Sequence, residues 1–208
     1  MRTDLINAIG SNQAAFGLTM PDEAIERLAD HFDLVRSNNP LLHLVAPCSP
    51  EEFATRHILE SLTLLEYLPT NARFADIGAG AGLPSIPCLI VRKDLRAALI
   101  ESKEKKARFL NLAISELGLA ERTAVVNRQF EETEPSDAGF VTCRALDKFT
   151  EKLPRLLKWC GDRTLLFFGG AELGDALRSR VSQVEVYLMP LSERRFLYAA
   201  KKNGETIP

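Results

Sequence analysis

From residue 73 onward the chain alternates short apolar runs with helical stretches, and this pattern confines the fold more than any other feature. The runs are RFADIG (73–78), AALIES (97–102), TAVVN (123–127), FVTCR (140–144) and TLLFFG (164–169), and a helix fits after most of them. Parallel neighbours need a long crossover, so such alternation predicts a parallel sheet with helices on its faces. The longest intervening helix, KEKKARFLNLAISELG, turns Phe109, Leu110, Ala113, Ile114 and Leu117 inward and stops at Gly118. In the tail, VEVYLMPLSERRFLYAAK holds two strand-like runs around a short polar turn, which predicts an antiparallel hairpin closing one sheet edge. The expected fold is α/β, a doubly wound sheet of about seven strands with the last one antiparallel.

Before residue 73 the pattern is helical. PDEAIERLADHFDLVRS (21–37) spaces Ile25, Leu28, Phe32 and Val35 for one helix face, and Asp22 and Glu23 suit its N-terminal end. SNNPLLHLVAPC reads as a loop. A second helix is expected over 49–69, capped by Ser49, with Pro50 in its first turn and Pro69 just past its end. The organisation expected is therefore a helical extension over 1–70 and a sheet domain over 71–208.

Charge is unevenly distributed. Residues 1–62 hold nine acids against four arginines, a balance of −5, whereas residues 92–108 hold seven basic residues against three acids, a balance of +4. A net charge of −2 argues against a protein that coats nucleic acid by bulk attraction, and a charge run alone most often marks a solvated helix face. No apolar run approaches the roughly 18 residues of a membrane span. Cys48, Cys88, Cys143 and Cys160 show neither metal nor disulfide spacing, and no secretory pattern opens the chain, so a cytosolic protein with reduced thiols is expected.

The stretch DIGAGAGLPS (76–85) carries the chemistry. A strand ending at Asp76-Ile77 followed by Gly78, Gly80 and Gly82 lies where an open α/β sheet binds its ligand, since glycine lets the backbone approach closely. The dinucleotide fingerprint requires a glycine at the sixth position; counted from Gly78 that position is Leu83, and from Gly80 it is Ser85. Pro84 and Pro87 remove N–H donors from the start of the next helix, which further disfavours a pyrophosphate. Glu101 ends the second strand nineteen residues after Gly82, where an acid accepts from ribose hydroxyls. Together these features suggest S-adenosyl-L-methionine.

RHILESL (56–62), DIGAGAGLPSIP (76–87), LIESKEKKARFL (99–110), the Asn127-Arg128 to Glu131-Glu132 segment and VTCRA (141–145) occur in one order. In that order they resemble the glucose-inhibited division protein B family of bacterial small-subunit ribosomal RNA guanine-N7 methyltransferases. The resemblance covers roughly residues 30 to 170 and implies a class I methyltransferase fold. It also implies an enzyme acting on ribosomal RNA or a ribosomal particle. By residue match, Gly78, Gly80, Gly82, Leu83 and Glu101 would hold the cofactor, and Phe130 and Glu131, or Gln129, would flank its adenine. Arg144 would face both its methionine end and the target base as the catalytic residue. Arg56, Lys103 and Lys106 are the residues expected to contact RNA. No metal is implied, and a monomer satisfies the sequence.

The chemistry is consistent with this reading. Guanine N7 carries a free lone pair, so transfer to it needs positioning and field rather than a general base. Enzymes that methylate exocyclic amines carry an Asp/Asn-Pro-Pro-aromatic motif where this chain has Thr142-Cys143-Arg144-Ala145. Ala46-Pro47-Cys48-Ser49 resembles the nucleophile motif of RNA cytosine-C5 methyltransferases, but it precedes the first strand instead of following the fourth, so Cys48 is read as a loop cysteine. His57 is read as packing the extension against the sheet. Several family residues are replaced, at Asn38-Asn39, His43-Leu44-Val45, Ala138-Gly139 and Phe168-Gly169. Two further readings therefore remain open: a cofactor- or RNA-binding homologue without activity, and a methyltransferase with another RNA or small-molecule substrate.

Overall fold

A computed structural model describes residues 1–135, 137–144 and 148–202; Ala145 of the VTCRA motif lies outside them. Seven strands form one sheet: β1 (Arg73–Ile77), β2 (Arg96–Ile100), β3 (Thr123–Val126), β4 (Phe140–Arg144), β5 (Thr164–Gly169), β6 (Gln183–Leu188) and β7 (Phe196–Lys201). Their spatial order is β3-β2-β1-β4-β5-β7-β6. Strands β1 to β5 pair in parallel, and β7 runs antiparallel to both β5 and β6. The chain order reverses between β1 and β4, which creates a crevice at the carboxyl ends of the strands.

Alternation along the strands assigns side chains to two cores. Phe74, Leu99, Leu166, Phe168 and Leu197 pack on one face with the N-terminal helices, α5 (Ser85–Val91) and α6 (Glu104–Glu116). Ala75, Ile77, Ile100, Val141 and Phe167 pack on the other with α7 (Phe149–Cys160) and α8 (Ala171–Arg178). All five apolar residues expected to face inward on α6 are buried, and Gly118 ends that helical stretch at φ +64°.

The N-terminal segment departs from its sequence reading in three places, the third being the helix expected over 49–69, which a π-helix interrupts. The first is an unanticipated helix, α1 (Arg2–Asn12), whose Arg2 pairs with Glu26, Asp30 and Asp33 and so offsets part of the acidic excess there. The second is α2 (Asp22–Leu42), which runs through Pro40 where a loop was expected from residue 37. Asn39 makes this possible: its Oδ1 accepts from the Leu44 and Val45 amides and its Nδ2 donates to the Val45 carbonyl. The exit loop thus finds its backbone partners on the helix itself.

The next helix begins as expected, with Ser49 Oγ accepting from the Glu52 amide over α3 (Pro50–Glu52). It then widens into a π-helix over Phe53–Leu59 before α4 (Glu60–Leu62). Such a bulge shifts the register of backbone carbonyls, and it carries Arg56 and His57.

Leu28 is fully buried in the core that α2 shares with α5 and α6, whereas the single tryptophan, Trp159, packs on the opposite face of the sheet. Leu28→Ala is expected to reduce stability by about 3 kcal/mol. Denaturation followed by far-UV circular dichroism and by tryptophan fluorescence should shift together; a fluorescence transition that ignored the substitution would mean the N-terminal helices unfold separately.

Candidate active site

Strand register sets what meets along the carboxyl edge. Ile77 is level with Ile100 on β2 and with Cys143 on β4, and Arg144 is level with Phe168 on β5. The residues that follow these positions, Glu101, Gly78 and Arg144, therefore stand side by side at the crevice. Gly78, Gly80 and Gly82 all have positive φ, at +73°, +50° and +78°, a conformation that side chains other than glycine rarely adopt.

The glycine loop is held from three directions. The Gly78 and Ala79 amides donate to the Ile100 carbonyl at 2.8 and 3.2 Å. The Gly80 amide donates to Glu101 Oε2 at 3.1 Å, while Glu101 Oε1 accepts from the Lys103 amide at 2.8 Å. From α2, buried His31 Nε2 lies 2.8 Å from the Ala81 carbonyl. Burial brings the His31 pKa down to about 4, so the ring is neutral at pH 7 and its Nε2–H can donate.

Around this loop opens a cleft of about 460 Å³, within the roughly 300–1,000 Å³ typical of small-ligand sites. Gly78, Gly80, Leu83, Glu101, Lys103, Lys106 and Arg144 all line it, as do His57 and Lys152. A smaller recess of about 50 Å³ shares Gly78, Ser102 and Lys152 with the cleft and is lined by Arg128, Gln129, Phe130 and Glu131. Two of the expected residues lie elsewhere. Gly82 is a packing residue, since a Cβ there would lie 2.3 Å from Ile86 Cδ1. Arg56 pairs with Glu52 on its own helix and offers only its carbonyl to Arg144.

Arg144 is largely buried at the end of β4 and bonded to Glu60 Oε2 at 3.0 Å. Glu60, 2% exposed, also accepts from Arg195 Nε at 2.6 Å, so both its oxygens are engaged. The Arg144 guanidinium lies 5.3 Å from the Phe168 ring centroid and donates to the Arg56 carbonyl within the π-helix. Burial lowers the Arg144 pKa from its ordinary value, and the nearby Glu60 carboxylate opposes that shift.

Sequence reasoning missed Glu60, Arg195, His31 and Lys152. Glu60 was within view, as the acid of RHILESL; Arg195 and Lys152 carry no motif.

The remaining titratable groups fit a cleft without a nucleophile. Cys48 is not among the lining residues, and burial and Glu52 raise its pKa, leaving it a thiol. His57 packs at 5.0 Å from the Phe53 ring, and burial, with Arg144 beside it, depresses its pKa to about 3. Of the basic run, Arg92 is tied to Asp94 and to two carbonyls and Arg108 to Glu104, whereas Lys103 and Lys106 line the cleft, Lys106 Nζ donating to the His43 carbonyl at 3.2 Å. Among the described residues no cluster of three metal-ligating side chains occurs, and no helix is long and apolar enough to cross a membrane.

A family model described as GidB, rRNA small subunit methyltransferase G, matches residues 24–186. A ribosomal RNA small subunit methyltransferase G of Sorangium cellulosum is 38% identical over 142 residues, which are 67% of this chain and 57% of that protein. The chain thus spans little more than half of that relative's length. A protein of the same name from Alkalilimnicola ehrlichii is 31% identical over 194 residues, covering 91% and 82% of the two chains. Among solved structures, the chain is similar to an RNA methyltransferase from Salinibacter ruber in complex with S-adenosyl-L-homocysteine. That likeness has TM-score 0.56 at 18% identity and covers 78% of this chain and 96% of that one. The pyocyanin biosynthetic protein PhzM is similar at TM-score 0.58 and 19% identity, over 73% and 56%. At these identities the likeness establishes the shared fold alone, a Rossmann-like doubly wound sheet.

Beneath the glycine loop, Asp76 is fully buried, bonded to Ser85 Oγ at 2.5 Å, and its pKa is raised to about 7, chiefly by burial. The folded chain therefore keeps this proton well above the ordinary value of 3.8, and the stability that the protonated group contributes declines as pH rises between the two values and is gone above the upper one. Asp76→Asn removes the titration. Its melting temperature relative to the parent should climb from about pH 4 to about pH 7 and then level off; a difference independent of pH would contradict a proton held on Asp76.

Proposed function

The chain belongs to the GidB family, rRNA small subunit methyltransferase G, and on that premise we propose that it transfers a methyl group from S-adenosyl-L-methionine to guanine N7 of small-subunit ribosomal RNA. The observation that carries the reading is the single cleft on which the glycine loop, Glu101 and Arg144 meet. Its residues fit the cofactor. The Gly80 Cβ position meets nothing closer than the Gly78 carbonyl at 3.6 Å, so the loop leaves room for a ligand to approach its backbone. Each Glu101 oxygen accepts one backbone amide and keeps a further lone pair for a ribose hydroxyl.

When bound, the cofactor supplies an electrophilic methyl carbon on a sulfonium. Phe130 and Glu131 would flank its adenine, Glu101 would take the ribose, and Gly78, Gly80 and Leu83 would border its remaining length. Arg144 stands at the junction with the incoming base, where its guanidinium orients the acceptor and its charge is balanced by Glu60. Guanine N7 brings a lone pair and no proton, so Arg144 needs only to hold the base in line. Lys103 and Lys106 at the rim offer positive charge to RNA phosphates. The setting is the cytoplasm and the working unit a monomer, on either RNA or a ribosomal particle.

Incubation with labelled cofactor and unmodified small-subunit RNA or particle should yield 7-methylguanosine by nucleoside mass spectrometry; its absence from both substrates would refute the reading. Glu101→Ala should weaken cofactor binding roughly 10- to 100-fold in calorimetry, through loss of charge-assisted bonds. Arg144→Ala should lower kcat by roughly 10²- to 10³-fold; full activity would contradict its role. Replacing Lys103, Lys105 and Lys106 together with alanine should weaken RNA binding and flatten its salt dependence by about 1 to 2 in log–log slope. Unchanged RNA affinity would remove the lysines from the interface.

A further inference from the structure

Arg144 separates two cavities. Beyond it, one strand further along the carboxyl edge, lies a second cavity of about 690 Å³, larger than the cleft that holds the glycine loop. Its position follows from the sheet: β5 neighbours β4, and the antiparallel β7 begins level with the end of β5, at Gly169 and Phe196. The β6–β7 turn, which carries Arg194 and Arg195, is thereby brought to the same edge as Arg144. Two half-buried rings line the cavity, Phe149 from the start of α7 and Phe196 from the start of β7.

We propose that this cavity receives the target nucleotide and that Glu172 selects guanine in it; the inference rests on the function proposed above. A base can reach a cofactor only when drawn out of its stack, and aromatic walls replace the stacking it loses. The cavity volume suits one nucleotide. On guanine, N7 lies on the side of the purine opposite N1–H and the N2 amino group. A base that presents N7 to the cleft at Arg144 therefore turns those two donors away, toward the β5–α8 turn.

Two carboxylates stand on the cavity wall, Glu60 and Glu172. Glu60 is excluded, because it is 2% exposed and held between the Arg144 and Arg195 guanidinium groups, whose charge it balances. Glu172 is exposed at the start of α8, and among the described residues no ion pair or side-chain bond engages it. An ionised carboxylate only accepts, so it can pair with the adjacent N1–H and N2–H of guanine. Adenine places an acceptor at N1 and is repelled there. Arg194, exposed on the same wall, stands where it can meet the phosphate of the extruded nucleotide.

Gly170 provides a test that leaves the cofactor cleft alone. Its backbone is extended, at φ −85° and ψ −176°, and a Cβ there would meet only the Arg194 carbonyl at 3.9 Å, so Gly170→Leu can fill the cavity without backbone strain. The experiment uses the full chain saturated with S-adenosyl-L-homocysteine and compares GMP with AMP by saturation-transfer NMR. Methylation of small-subunit RNA and calorimetric cofactor affinity are measured alongside. The parent should bind GMP at least about tenfold better than AMP. Glu172→Ala should abolish that preference and lower kcat/KM about tenfold or more, and Gly170→Leu should remove both GMP binding and activity. Cofactor affinity should hold in each variant. Equal GMP and AMP signals in the parent would overturn the inference, as would GMP binding that survives Gly170→Leu or activity within twofold of the parent in both variants. A parent that prefers GMP yet forms no 7-methylguanosine would refute the proposed reaction while leaving the nucleotide cavity standing.

Discussion

The carboxylate of Glu60 organises the crevice. A side chain 2% exposed cannot keep a charge without partners, because removing a carboxylate from water costs several kcal/mol unless opposite charges and hydrogen bonds compensate. Glu60 recruits Arg144 from the end of β4 and Arg195 from the β6–β7 turn, at separations of 84 and 135 residues along the chain. One acid from the N-terminal segment thus fixes the side chain that stands between the two cavities and draws the hairpin turn toward it. The π-helix contributes to the same arrangement by offering the Arg56 carbonyl to Arg144. Losing Glu60 would leave two guanidinium groups facing each other in a partly buried site, so the pair with Arg144 serves geometry more than net stability.

The glycine loop illustrates a second kind of economy. Its glycines free the backbone for a ligand, and glycine is the residue with most conformational freedom to lose on folding. That freedom is removed before any ligand arrives, by the Ile100 carbonyl and Glu101 on one side and by His31 on the other. Burial keeps His31 neutral, and the tautomer protonated at Nε2 supplies the donor to the Ala81 carbonyl. The N-terminal helices therefore reach the crevice twice, through His31 at the loop and through Glu60 at Arg144, and they share a core with one face of the sheet.

Much of this was legible residue by residue. The five parallel strands, the α6 face from Phe109 to Leu117, the Ser49 cap and the closing hairpin all follow from local patterns of two- and 3.6-residue period. The placement of Gly78, Gly80, Glu101, Leu83 and Arg144 on one cleft also follows, since strand ends gather at the crevice of a doubly wound sheet. Other features resisted local reading. Helix α2 continues past Pro40 because Asn39 folds its amide back onto the exit loop, a compensation that propensity does not register. Gly82 looked like its two companions but packs against Ile86, and Arg56 lies in RHILESL yet turns to Glu52.

By itself the sequence determined the class of fold, the edge of the sheet where a ligand would bind, and a non-dinucleotide glycine loop backed by an acid at the next strand end. These depend on spacing between near neighbours, which side-chain periodicity and the special freedom of glycine make readable. Only the tertiary structure decided that Glu60, Arg144 and Arg195 converge, that His31 fastens the loop, and that a second cavity opens beyond Arg144 with Glu172 on its wall. The physical reason is register. Which residues share a level depends on how strands pair across the sheet, and no local pattern records the partner of a buried charge more than eighty positions away.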